Sequence, residues 1–221
     1  MNIENVEKLF GSTIGSKTSN PEFDKSGFVL VKGIIDPSRM ICDIPEEKGL
    51  FHYYGKEDKF THIPDEGQVP GSTSRYYWPP YKEIHNDLKN KIQDIIGKKL
   101  YHTYYYDRFY FDGQDLSPHT DRDACEISIS VHIGTNIEEP WGFWIENGDG
   151  KCARIYMEPG DGVIYKGCER MHWREKMPAK KQGFINRILR RKTDDAYYHQ
   201  AFFHYVLADG NRAHCAFDAS R

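Results

Sequence analysis

The chain has 221 residues, 38% of them apolar and 14% aromatic, with 30 basic against 33 acidic side chains and a net charge of −3. That length supports one closed core with at most a small appendage, and the near balance of charge excludes a global field that recruits nucleic acid. No apolar run approaches the roughly 20 residues that a membrane-spanning helix needs, and five cysteines without a C-x-x-C pair argue against a disulfide framework or a structural zinc.

Residues 2–10 carry Val6, Leu9 and Phe10 and predict a short helix. The opening MNIENVEKLFG lacks the basic, apolar and small-residue segments of a signal peptide, so the cytoplasm is the expected compartment. Gly27–Ile35 reads as a strand. Residues 36–82, which include GQVPGSTSRYYWPPY, read as a long surface excursion with turns, a type of segment that often forms a lid or binding loop. Tyr81–Leu100 is the clearest helix, with Ile84, Leu88, Ile92, Ile95 and Ile96 at helical spacing and Gly97 to end it. Short strands are then predicted over Tyr101–Phe111, Glu126–Gly134, Trp141–Glu146, Ala153–Met157, Gly162–Lys166 and Tyr198–Val206. Serial strands behind one long helix predict a mainly β barrel or sandwich with the helix packed outside. Residues 176–196 interrupt the pattern as an apparent insertion. Lys180, Lys181, Arg187, Arg190, Arg191 and Lys192 crowd this segment, as a solvated face or as a phosphate-binding patch.

The string that carries chemistry is Tyr110-Phe-Asp-Gly-Gln-Asp-Leu-Ser-Pro-His119-Thr-Asp121. In extended backbone an H-x-D pair puts an imidazole and a carboxylate on the same side. Both suit a divalent first-row metal, and a non-haem iron site needs a third ligand that leaves other positions open. Downstream, Glu158-Pro-Gly-Asp161 reads as a tight turn feeding an apolar strand, and His172 follows 172 − 119 = 53 residues after the first histidine.

Together these motifs resemble the 2-oxoglutarate/Fe(II)-dependent oxygenase superfamily, specifically its prolyl 4-hydroxylase-like branch, over residues 100–206. The resemblance implies a double-stranded β-helix (jelly-roll, cupin-like) core at 101–206, helix-and-loop support with substrate loops at 1–100, and the insertion at 176–196, all in a single domain over 1–221. It implies Fe(II) held by His119, Asp121 and His172, with 2-oxoglutarate and O2 as cosubstrates. The implied reaction is C–H hydroxylation with release of succinate and CO2. Tyr110 falls where prolyl hydroxylases carry a tyrosine that contacts 2-oxoglutarate.

The family's usual basic anchor for the distal carboxylate has no match here, because that offset falls on Gln182 and the last strand holds no Lys or Arg. A dianion in a dry pocket still calls for a cation. Arg174 is the candidate, since in extended backbone it faces the same way as His172, and its alternative role is a salt bridge to Glu175 or Glu169. Gln200 or His204 are expected to add hydrogen bonds, with Arg187 and Lys180 as further anchor candidates. Arg108 and Tyr106 share strand parity with Tyr110, Arg122 follows the H-x-D directly, and Tyr76, Tyr77 and Trp78 suit stacking on a prolyl ring. The implied substrate is a prolyl residue of a peptide or protein, or else a free amino acid or small metabolite. A cupin-like metal dioxygenase without 2-oxoglutarate and a non-catalytic sugar- or protein-binding barrel are the readings from other classes.

Overall fold

In a computed structural model that describes residues 20–40, 43–45, 48–54, 60–64, 67–180 and 195–217, the chain passes repeatedly between two β-sheets. The expected helix at 2–10 and most of the 176–196 segment, with Arg187, lie outside the described residues. A short helix α1 (Pro21–Ser26) begins on Asn20, whose side chain accepts from the amides of Glu22 and Phe23 at 3.1 Å.

Twelve strands follow: β1 (Phe28–Val31), β2 (Leu50–Tyr54), β3 (Phe60–Pro64), β4 (Thr73–Tyr76), β5 (Leu100–Phe111), β6 (Leu116–His119), β7 (Ile127–Thr135), β8 (Phe143–Glu146), β9 (Cys152–Ile155), β10 (Gly162–Tyr165), β11 (His172–Arg174) and β12 (Tyr197–Leu207). One sheet runs β1-β10-β7-β12-β5-β4-β2-β3 and the other β6-β11-β8-β9. From β5 onward the chain alternates between the sheets, apart from the β8–β9 hairpin within the smaller one, and forms a double-stranded β-helix, the expected fold class.

One expectation is corrected. Residues 36–82 are not only a surface excursion: β2, β3 and β4 extend the larger sheet, with β4 antiparallel to β5 and parallel to β2. Their Gly- and Pro-rich flanks hide these strands from pattern reading, because their partners lie elsewhere in the chain. Strands β6 and β11, which carry the candidate ligands His119 and His172, are also too short to show a periodicity.

The helix α2 (Lys82–Ile96) covers the larger sheet. Ile84, Leu88, Ile92 and Ile96, spaced by four, are all buried against the outward side chains Ile127, Ile129, Val131, Ile133, Ala201, Phe203 and Tyr205. Each of the four contributes about 1.5–3 kcal/mol through burial, as an upper estimate. Gly97, at φ 68°, ends the helix with its N–H on the Gln93 carbonyl.

Strand alternation turns the intervening residues inward: Ser128, Ser130 and His132 on β7, Tyr198, Gln200, Phe202 and His204 on β12, and Tyr104, Tyr106, Arg108 and Tyr110 on β5. This buried inner face is polar and aromatic where the outer face is aliphatic. The Glu158–Asp161 turn is a structural stitch. The buried Asp161 carboxylate accepts from the Gly33 and Glu158 amides and from Lys32 Nζ, at 2.8–2.9 Å, tying β1 to the entry of β10.

Candidate metal centre and its pocket

Strands β6 and β11 pair with His172 directly opposite His119, so the two imidazoles meet across one ladder with ring centroids 4.3 Å apart. His119 Nδ1 lies 2.9 Å from the Ser117 carbonyl, and His172 Nδ1 2.9 Å from the Arg170 carbonyl. A carbonyl only accepts, so each ring donates from Nδ1 and keeps its lone pair on Nε2. Both Nε2 atoms face Asp121 Oδ1, at 3.7 Å from His119 and 3.5 Å from His172. Backbone carbonyls thus hold two tautomers in the form a metal needs. The ligand atoms of His119, Asp121 and His172 all lie within 4.8 Å of one another.

Burial, reinforced by the neighbouring His172, lowers the pKa of His119 and favours its neutral, ligating form. Burial opposes ionisation of Asp121, but His172, His204 and His119 outweigh it and hold the carboxyl below its ordinary range. Two neutral imidazoles and one carboxylate on one side of a cleft match the donor set of a ferrous facial triad.

Deeper in the barrel stands Arg174, 1% exposed. Its guanidinium lies over the rings of Trp141 at 4.6 Å and Tyr198 at 4.7 Å. Nη1 donates to the Trp141 carbonyl at 2.7 Å and Nη2 approaches Tyr198 Oη at 3.4 Å, while Nε has no partner. The alternative salt bridges are absent: Glu175 pairs with Arg154, and Glu169 with Lys166 and Arg170. Among the described residues no carboxylate pairs with Arg174. A buried cation without an anion costs several kcal/mol, and cation–π contacts offset only part of it.

Its surroundings are also unsatisfied. Gln200 is fully buried, and neither its Nε2 nor its Oε1 has a partner. It lies in one cross-strand row with Arg108 and His132. His132 gives its Nδ1 proton to the Met157 carbonyl and keeps an unpartnered Nε2, and burial takes its pKa down to about 4. Tyr110 is fully buried between Trp141, at 5.0 Å, and Arg108, whose Nη1 lies 3.4 Å from its hydroxyl. Orphaned polar atoms around an uncompensated guanidinium fit a polar, anionic small molecule.

The structure separates the remaining sequence candidates. Arg108 is fully buried and donates to Ser74 Oγ at 3.1 Å and to Gln68 Oε1 at 2.9 Å. Arg122 sits at the exposed rim over the ring of Tyr104, at 4.6 Å. Tyr76 stacks on Phe51 at 4.5 Å and on Tyr106 at 4.4 Å, and Tyr106 stacks on Phe202 at 4.6 Å. This ladder runs along the inner face.

Tyr77 and Trp78 are not part of this stacked ladder, although Tyr77 still packs against the inner cluster as well as the outer one. Tyr77 has φ 58°, breaking strand alternation after β4. Tyr77 then packs edge-on to Tyr53 and Tyr105, and Trp78 covers Arg75 at 4.4 Å on the outer side.

Sequence reasoning missed Gln68. Its Nε2 lies 3.1 Å from His119 Nε2, and with the lone pair on the imidazole the amide is the donor. Gln68 lies in the excursion before β4, and only the pairing of β4 with β5 brings it over the metal-facing side.

No family model and no curated protein matches the sequence. Solved structures do match the fold. A prolyl-4-hydroxylase from Pseudomonas putida shares 11% identity at TM-score 0.52, with 83% of this chain and 95% of that one covered. A 2OG-Fe(II) oxygenase family oxidoreductase from Burkholderia pseudomallei shares 12% at TM-score 0.55, covering 84% and 87%. A prolyl hydroxylase from Trichoplax adhaerens, in complex with a hypoxia inducible factor oxygen degradation domain peptide fragment, shares 8% at TM-score 0.55, covering 91% and 90%. At these identities the likeness establishes the fold.

Proposed function

We propose that this protein is a 2-oxoglutarate- and Fe(II)-dependent dioxygenase that hydroxylates a C–H bond. The observation that carries the proposal is the pairing of a convergent His119–Asp121–His172 donor set with a buried Arg174 that no carboxylate among the described residues pairs with, in the same barrel. In this reading His119 Nε2, His172 Nε2 and one oxygen of Asp121 hold ferrous iron. Arg174 binds the distal carboxylate of 2-oxoglutarate, and Tyr110 and Gln200 complete its hydrogen bonds. The bound iron and cosubstrate supply O2 activation, with succinate and CO2 as co-products.

The protein's own contribution is placement. Ser117 and Arg170 carbonyls fix the imidazole tautomers, and aromatic side chains keep water from the cosubstrate pocket. A cupin-like dioxygenase that does not use 2-oxoglutarate, or a non-catalytic barrel, leaves the buried guanidinium without a role.

For the substrate, a prolyl residue in a peptide is the class we propose, by analogy with the prolyl hydroxylases that share the fold. Tyr76, half-buried where Tyr106 and Phe202 are buried, is a partly exposed stacking surface of the aromatic ladder. Arg108, bonded to the Gln68 that reaches His119, and Arg122, which follows the H-x-D, are the further substrate-contact candidates, and a free amino acid is the second substrate class to assay. Described cysteines Cys125, Cys152, Cys168 and Cys215 are all unpaired, which suits the reducing cytoplasm as the working compartment.

Anaerobic titration of Fe(II) and 2-oxoglutarate tests the cofactor reading through the visible charge-transfer band of the chelate. A band that forms in wild type and is lost in His119→Ala and His172→Ala supports it. Folded, iron-loaded protein with no band refutes the 2-oxoglutarate reading. Succinate release stimulated by proline peptides, against free amino acids, then separates the substrate classes.

A further inference from the structure

Behind the proposed ligand Asp121 lies a second cluster of ligand-type side chains, Asp121, Cys125 and His204. It is filled by protein. The Ser128 hydroxyl stands 3.1 Å from Asp121 Oδ2, 2.8 Å from His204 Nδ1 and 3.1 Å from the Cys125 carbonyl. The Cys125 thiol is engaged separately, 3.2 Å from Tyr104 Oη.

The protons in this cluster can be assigned. His204 is 2% exposed, and its Nε2 is buried without a partner. A buried N–H left unpaired is costlier than an unpaired lone pair, so the proton resides on Nδ1 and is donated to Ser128 Oγ. The serine hydroxyl, having accepted from His204, sends its own hydrogen to an acceptor. Its acceptors are the Cys125 carbonyl, the Asp121 carboxylate and the Tyr165 hydroxyl on the paired strand, and the charged acceptor gives the strongest bond.

Asp121 Oδ2 is therefore occupied from behind, while Oδ1 faces both imidazole Nε2 atoms. The backbone closes the same side. Asp121 N–H bonds to the Gly167 carbonyl at 2.9 Å, and a Cβ on Gly167 would collide with Asp121 Oδ2 and the Cys125 carbonyl.

We infer that Ser128, oriented by His204, is a positioning residue that restricts Asp121 to ligation through a single oxygen, Oδ1. The inference rests on the iron-site reading above. Its chemical consequence is specific: a carboxylate free to swing can chelate through both oxygens and take a coordination position that the cosubstrate or O2 needs. The pair Ser128–His204 prevents that from the far side of the carboxylate, without touching metal or substrate. His204 is in turn anchored through its backbone, whose carbonyl accepts from His85 Nε2 of α2 at 3.1 Å.

Cobalt(II) tests this on the metal-free full-length protein, because its ligand-field spectrum reports both affinity and coordination geometry. Ser128→Ala is expected to weaken Co(II) binding about 10- to 100-fold and to change the intensity of the d–d bands, a spectral change that the lower apoprotein thermal midpoint expected from the unpaired His204 N–H would not by itself produce. His204→Leu is expected to do the same. His204→Asn, whose amide offers a donor where Nδ1 stood, is expected to restore the wild-type spectrum.

Wild-type affinity and an unchanged spectrum in Ser128→Ala, in a protein where His119→Ala abolishes binding, would overturn the positioning role and leave the iron site standing. Failure of the wild type itself to bind Co(II) would overturn the iron-site reading and this inference with it.

Discussion

Removing the Arg174 guanidinium is the sharpest perturbation, because it should move ligand affinity and stability in different ways. In Arg174→Met the stem volume is largely kept while the charge is lost. Without a bound anion, the arginine bears the desolvation of a 1%-exposed cation, offset by its bond to the Trp141 carbonyl and its contacts with two rings. Replacing a buried charge by an apolar side chain of similar size is often neutral or stabilising by about 1–4 kcal/mol. Losing the carbonyl's partner costs about 1–3 kcal/mol. The net change in apoprotein stability is therefore near zero.

Ligand binding has no such cancellation. Truncating one partner of a buried charge pair costs roughly 2–5 kcal/mol, which is about 30-fold to several thousand-fold in Kd. Isothermal titration of 2-oxoglutarate into the anaerobic iron-loaded protein measures the second effect, and thermal denaturation of the apoprotein the first. A Kd within threefold of wild type would refute the anchoring role. A collapse of apoprotein stability would show that Arg174 is held by the fold rather than kept for a ligand.

Gly167→Ala places a methyl against Asp121 and the Cys125 carbonyl; overpacking of this kind should cost about 1–3 kcal/mol in urea denaturation and weaken metal binding, whereas wild-type behaviour in both would show that the loop relaxes freely. On the outer face, buried Asp107 binds Arg75 and, at 2.7 Å, His199 Nε2. Asp107→Asn should destabilise the fold by about 3–5 kcal/mol because it removes the carboxylate from a buried ion pair, measured as a lower thermal midpoint with the metal site still able to bind Co(II). Burial takes His132 down to about 4 and His85 to about 3. Their folded pKa values lie below the unfolded value of about 6.5, so the unfolded chain takes up protons first and stability falls as pH drops from 6.5 toward those values. Each group adds up to about 1.4 kcal/mol per pH unit, and urea midpoints of the apoprotein that do not change between pH 7 and 5 would contradict the burial of both rings.

What the sequence determined by itself is local. The H-x-D string, the Gly160 turn, the inward parity of Arg174 with His172 and the four-residue spacing of Ile84, Leu88, Ile92 and Ile96 each follow from backbone periodicity over a few residues. Together with the family resemblance they carry, such patterns gave the fold class that the structure bears out and named His119, Asp121 and His172, which the structure brings together, and Arg174 as candidates.

Only the tertiary structure decided the rest. It set which face Tyr76, Tyr77 and Trp78 present, since the positive φ at Tyr77 reverses the expected alternation. It carried Gln68 over His119 by pairing β4 with β5, and it put Ser128 and His204 behind Asp121 by pairing β7 with β12. It also showed that no carboxylate among the described residues pairs with Arg174, Glu175 being turned to Arg154 although it is the next residue in sequence. The physical reason is common to all of these. A strand's periodicity says which residues share a side, but strand partners, and therefore what those residues meet, are settled by burial and hydrogen bonding between segments far apart in the chain.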